Sequence, residues 1–299
     1  MYTRLLKLYF TVMISIDIIG CSVLPTRLTE CSSQRPCPSG HLCSEVTSTC
    51  IPVVDLGVAD QNSSDRPPID MSPPAGMILI AGGTYNMGSP LSDTGSASDE
   101  RPEHDVTLPN FYIDITEVTQ AAYRNCVNAG SCTQPDNYTT NANCNWGQAG
   151  REDHPANCID WNQAKGYCEW RGSRLPTEEE WEYVARGKIK STYPYGNEPI
   201  SNQSCINTMH TCAVGQYQKT LFGKPDSVGL SDLLGNVVEW TSTLYCASYD
   251  LQGCTSNYES RGGGWGAAAA TSQRAAYRGA RSPASSRGAA QGVRCAKDF

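Results

Sequence analysis

Histidine is scarce in this 299-residue chain, with four copies scattered at His41, His104, His154 and His210. With no CxxC pair and no HExxH, the common zinc spacings are excluded. A GxSxG elbow and a phosphate-cradling glycine loop followed by lysine are also missing, which removes the usual hydrolase and nucleotide signatures. Lysine and arginine never form a block longer than a pair, and the formal net charge is −7 with an isoelectric point near 5.1. An acidic chain without a basic run argues against nucleic acid and anionic lipid as electrostatic partners. No apolar run is long enough to span a bilayer; the stretch Leu8 to Ile19 is broken by Thr11, Ser15 and Asp17.

What is present begins with that stretch. Arg4 and Lys7 precede it and Ile18-Ile19-Gly20-Cys21 follows it, a pattern that resembles a bacterial lipoprotein signal. Cleavage after residue 20 would leave Cys21 as the lipidated first residue. The expected location is then the cell envelope of a bacterium, as an exported outer-membrane lipoprotein that meets the membrane through its lipid anchor. An ordinary secretory signal with an incidental cysteine is the alternative. Of the 15 cysteines, 14 remain once Cys21 is set aside, an even number in an oxidising compartment. Four of them crowd residues 21–50, too little chain to bury a core, so two disulfides should hold a small cysteine-rich knot there. Residues 51–75, rich in proline and aspartate and free of aromatics, read as an extended tether.

The texture changes from residue 76, and 39% hydrophobic composition suits one sizeable domain over 76–299. MILIAGGTYNMGS predicts a strand pair. ITEVTQAAYRNCVNAG predicts a helix capped by Thr119 and stopped by Gly130, with Tyr123, Cys126 and Val127 on one face. CIDWNQAKGYCEWRG predicts a second, capped by Asp160 and Gln163. LPTEEEWEYVARG predicts a third through a Thr177/Glu180 capping box, with Trp181 and Val184 inward. Trp161, Trp170 and Trp181 are expected in the core, and His104 and His154 as hydrogen-bonded structural residues. Short helices among irregular strands make an α+β domain dominated by loops. Cys126/Cys132, Cys205/Cys212 and Cys246/Cys254 each enclose a short loop beside turn-forming residues, and local disulfides are the economical reading.

MILIAGGTYNMGS, DERPEHDVTLPNFYIDITEVT, HPANCIDW, SRLPTEEEWEYVARG, YPYGN, GLSDLLGNVVEW, RGGGW and GVRCA stand in the order and spacing of the formylglycine-generating enzyme, or sulfatase-modifying factor, family, which residues 76–299 resemble. The resemblance implies a loop-rich, C-type-lectin-like fold with low regular secondary structure, stabilised by calcium and disulfides. It pairs Cys168 with Cys295, which leaves Cys144 and Cys158 for each other. It also implies a structural calcium bound by the Asp232 and Glu239 side chains and the Gly235 and Val237 carbonyls, all hard oxygen donors. A second calcium site would begin at Asn207 and Thr208, but the chain is shortened just after them.

In active members of that family two groove cysteines bind copper(I) and convert a substrate cysteine to formylglycine. Those cysteines should follow Gly262-Gly263-Gly264-Trp265, yet no cysteine lies between Cys254 and Cys295. The alanines at 267–270 offer a soft metal no donor, and copper is therefore not expected. The family's groove serine matches Gly264, its aromatic residue before the GNxWEW glutamate matches Val238, and its groove asparagine falls near Ala290. The residues thus favour a binding or interaction module without oxidase activity and with no catalytic residue. Its ligand surface would be Trp265, Arg274, Tyr277 and Arg281, suited to an acidic glycan or peptide. An active oxidase acting on sulfatases through unrecognised ligands is the alternative.

Overall fold

The computed structural model describes residues 41–44, 49–52 and 73–299, the last span with gaps at 136–138, 188–189, 199–203, 218–228, 251–252, 268–271, 273 and 279. The expected signal at 1–20, Cys21, and most of the 21–50 knot and the 51–75 tether lie outside the described residues. The chain divides into two units, Met1–Ile69 and Asp70–Phe299. In the first, strands His41–Ser44 (β1) and Thr49–Pro52 (β2) pair antiparallel with Cys43 opposite Cys50.

In the second unit each helix starts on a side-chain oxygen. Thr119 accepts from the Ala122 amide at the head of Gln120–Asn128 (α1). Asp160 and Gln163 form a reciprocal capping box at Trp161–Trp170 (α2), and Thr177 and Glu180 form one at Glu178–Arg186 (α3). Such caps satisfy amides that the helix itself cannot, at about 1 kcal/mol each. Tyr123 and Cys126 of α1 and Trp181 and Val184 of α3 are buried. Of the three tryptophans expected in the core, only Trp181 is fully enclosed. Trp170 is 41% exposed because it is the last residue of α2, and Trp161 is half-buried, its ring stacked on Tyr258 with centres 3.9 Å apart.

MILIAGGTYNMGS forms two strands, Met77–Ile80 (β3) and Gly83–Met87 (β4), but they do not pair with each other. β4 pairs with His104–Leu108 (β5), and β3 pairs with Phe111–Asp114 (β6), Ile78 standing opposite Ile113. The chain changes partner at Gly82, where a Cβ would lie 2.2 Å from the Leu108 carbonyl oxygen. Only glycine permits that approach. A second sheet orders Gln291–Gly292 (β10), Val238–Leu244 (β7), Tyr258–Arg261 (β8) and Ala280–Ser282 (β9). The last strand, Ala296–Asp298 (β11), pairs antiparallel with β6 and completes the three-stranded sheet β11-β6-β3.

Two apolar clusters fill the interior. One gathers Tyr123, Trp146, Ile159, Tyr167 and Trp240; the other gathers Met87, Phe111, Ile113, Trp181 and Leu230. Disulfides join Cys126 to Cys132, Cys144 to Cys158, Cys168 to Cys295, Cys205 to Cys212 and Cys246 to Cys254. The Cys168–Cys295 bond spans 127 residues and ties α2 to the segment before β11. In the chain-entropy model closing so long a loop stabilises the fold by about 5 kcal/mol. The domain is α+β, with short elements held by long irregular connections.

Candidate functional site

Three distant segments build the groove that the resemblance points to. The Gly235 amide donates to the Gly262 carbonyl (2.9 Å), the Trp265 amide to the Asn236 carbonyl (2.9 Å), and the Val238 amide to the Ala290 carbonyl (2.6 Å). The disulfide loop 205–212 joins them, since the Asn236 amide donates to the Cys205 carbonyl (2.8 Å) and the Thr208 amide to the Trp265 carbonyl (3.1 Å). Gly264, Val238 and Ala290, named from separate motifs, therefore meet in one place. A Cβ at Gly264 would lie 2.7 Å from the Ala290 Cβ and 3.5 Å from Val238 Cγ2. The space of a groove serine is filled by hydrocarbon.

Below the groove the chemistry is ionic. Arg294 is wholly buried and spends its guanidinium on the Asp114 and Ser231 carbonyls (2.8 Å each) and on both Glu239 oxygens (2.8–3.0 Å). Glu239 Oε2 also accepts from the Trp181 indole (2.7 Å). A carboxylate has about four lone-pair positions, and these bonds occupy them. The resemblance assigns Glu239 to calcium; in the structure its oxygens accept from Arg294 and Trp181. Asp232, in a left-handed conformation at φ 58°, accepts from the Gly215 and Tyr217 amides, and burial raises its pKa. Glu117 has both side-chain oxygens buried without a hydrogen-bond partner. Burial, then the like charge of Asp232, pushes it well above the ordinary carboxylate range. Among the described residues no three His, Cys, Asp or Glu side chains are placed to hold a metal ion. Asn207, the start of the second assigned site, is exposed and left-handed at φ 52°.

The arginines of 274–287 divide into two kinds. Arg274 is buried and pairs with Glu100 (2.8 Å) and Asp93 (3.3 Å). It lines a surface cavity of about 430 Å³ together with Arg186, Lys190, Asp93 and Glu103. Arg278 is also buried, between the rings of Tyr245 and Tyr249. Its Nη2 reaches Glu178 and Glu259 at 3.3 and 3.4 Å. Arg287 donates to Asp160 (2.6 Å). Arg281 keeps 58% of its side chain exposed, at 3.4 Å from Asp99, while Tyr277 and Trp265 are half-buried. Arg281, Tyr277 and Trp265 therefore retain surface, and Arg274 faces inward to a carboxylate.

Sequence reasoning missed a set of buried carboxylates on α3 that receive arginines from other parts of the chain as well as from the helix itself. Glu178, Glu180 and Glu182 all belong to α3 and all are buried. Glu182 accepts from Arg186 and Arg261 and is held below its ordinary pKa by them despite burial. Three acids in one helix whose apolar residues face inward were a usable signal. Their distant partners, Arg261 for Glu182 and Arg278 for Glu178, were not.

The fold and this ion-paired floor define a disulfide-stapled α+β domain built around a groove of long loops. Residues 63–299 match the sulfatase-modifying factor enzyme 1-like domain, and the chain belongs to that family. It is 29% identical over 246 residues to the formylglycine-generating enzyme of Streptomyces coelicolor, covering 64% of this chain and 76% of that one. It is 30% identical over 224 residues to the inactive Cα-formylglycine-generating enzyme 2 of Bos taurus, covering 58% of this chain and 72% of the relative. Among solved structures, PvdO from Pseudomonas aeruginosa superposes with a TM-score of 0.61 at 25% identity, over 75% of this chain and 94% of its own.

Proposed function

We propose that this protein is an exported, lipid-anchored interaction module that keeps the groove of its family and has set aside the oxidase chemistry. The observation that carries the reading is the thiol inventory. All ten cysteines of residues 73–299 are disulfide-bonded, so this domain offers no thiolate pair to hold copper(I). Two further facts support it: hydrocarbon fills the place of a groove serine, and relatives of this family include an inactive one. Trp265, Tyr277 and Arg281 each keep some surface exposed, and aromatic and cationic side chains suit an acidic glycan or peptide. Calcium enters this reading as a structural ion held by the Asp232 and Glu239 side chains and the Gly235 and Val237 carbonyls.

The alternative is an active oxidase converting a substrate cysteine to formylglycine, favoured by the similarity to the Streptomyces enzyme. An anaerobic copper(I) titration of the purified protein, followed by an oxygen-dependent assay on cysteine peptides, separates the two. The module reading expects neither tight copper binding nor turnover. Copper- and oxygen-dependent turnover in protein free of contaminating enzyme would overturn it.

A further inference from the structure

Two of the four histidines, distant in sequence, face each other in space. The ring centres of His154 and His210 are 6.3 Å apart. Two imidazoles on one zinc ion, each nitrogen at about 2.0–2.1 Å, have ring centres roughly 5–6 Å apart. His210 is exposed, and a side-chain rotation closes the difference.

One residue orients both rings. The Thr211 carbonyl lies 2.8 Å from His210 Nδ1 and its hydroxyl 2.9 Å from His154 Nδ1. A carbonyl can only accept, so His210 carries its proton on Nδ1 and its lone pair on Nε2. The Thr211 hydroxyl lies 3.0 Å from Asn145 Nδ2 and 3.1 Å from Asn145 Oδ1; when it donates to Oδ1 it is free to accept from a His154 Nδ1–H. Thr211 and Asn145 are fully buried, and the Cys205–Cys212 bond clips the loop that carries His210. Fixing the inner N–H of an imidazole is how metal-binding histidines are tuned, because it sets the tautomer and points the other nitrogen outward.

We propose that His154 and His210 form a site for a divalent late first-row metal ion such as zinc or nickel, bound through their Nε2 atoms. Two protein donors leave the remaining positions open to water or to a partner's side chain. The local charge is mixed: Arg151 and Asp153 both act on His154. Burial, Arg151 and then His210 hold His154 below its ordinary pKa, which keeps the imidazole neutral and able to ligate. No residue assigned by the resemblance to copper or calcium is a donor here, and the donors are nitrogen rather than thiolate.

The test uses the metal-free mature protein titrated with zinc and nickel chloride, followed by calorimetry and by long-range proton–nitrogen spectra of the imidazoles. Before metal, both rings should be Nδ1–H tautomers. Zinc should then move both Nε2 resonances at one equivalent. His210→Ala, at an exposed position, should leave the fold intact and lower affinity at least about tenfold, and Thr211→Val should lower it about tenfold by freeing the His154 ring. Unmoved Nε2 resonances, or unchanged affinity in His210→Ala, would show two structural histidines and overturn the site.

Discussion

The floor and the rim of the groove are built by opposite means. Beneath it, Arg294 and Glu239 are both fully buried and bonded to each other, as are Arg261 and Glu182. At the rim, Gly264, Ala290 and Val238 meet through one backbone hydrogen bond and small apolar side chains, with no ion pair among them. The difference teaches that the two parts tolerate change unequally. Removing one member of a buried ion pair strands the other, at about 3–5 kcal/mol, so the floor resists single changes. A rim packed by small apolar groups carries no such constraint.

The sharpest way to break the comparison is at the floor. Arg294→Met leaves Glu239 buried without its guanidinium and should destabilise the domain by about 3–5 kcal/mol, read as a lower urea midpoint. A loss below about 1 kcal/mol would mean that the floor is not what holds the frame.

At the rim a smaller effect is expected, and it should be repairable. Gly264→Ser forces a Cβ to within 2.7 Å of the Ala290 Cβ, an overpacking that typically costs about 1–3 kcal/mol. Adding Ala290→Gly should recover part of that loss, so the two changes will not be additive. Additive costs would refute the contact.

The floor also carries a pH signature that the rim lacks. Burial, then the like charge of Glu178, pushes Glu259 from its ordinary 4.5 up to about 8. An acid raised in the fold holds its proton more tightly there than in the unfolded chain. Its contribution is therefore fully present below pH 4.5 and is lost as pH rises through about 8. The melting temperature should fall between about pH 5 and about pH 9, and Glu259→Gln should flatten that fall. Superimposable profiles for parent and variant would exclude the group.

The smallest effect belongs to Arg281. Its pair with Asp99 is more than half exposed on the arginine side, so Arg281→Ala should change stability by no more than about 1 kcal/mol. Binding of an acidic glycan or peptide, measured by titration, should weaken in the same variant. A large stability loss would move Arg281 from the rim into the frame.

Local signals were legible and long-range ones were not. The helix caps at Thr119, Asp160 and Thr177 could be read because a cap is a property of four neighbouring residues. The short disulfide loops were readable for the same reason. The pairing of β3 with β6 rather than β4 was hidden, since it depends on how Gly82 packs against Leu108. The candidate site divides in the same way. The missing cysteines stand in the sequence as a plain absence, whereas the competition for Glu239 between a cation and Arg294 needed coordinates.

By itself the sequence determined the family, the α+β class, the positions of three helices and the lack of sulfur between Cys254 and Cys295, because each is written in residue type, order or short spacing. Only the tertiary structure decided which charges neutralise one another and which histidines meet. Arg274 found Glu100, Arg278 found Glu178 and Glu259, and His154 found His210 across long stretches of chain. Electrostatic and ligand contacts depend on distance in space, and loops of this length leave that distance open until the whole domain packs.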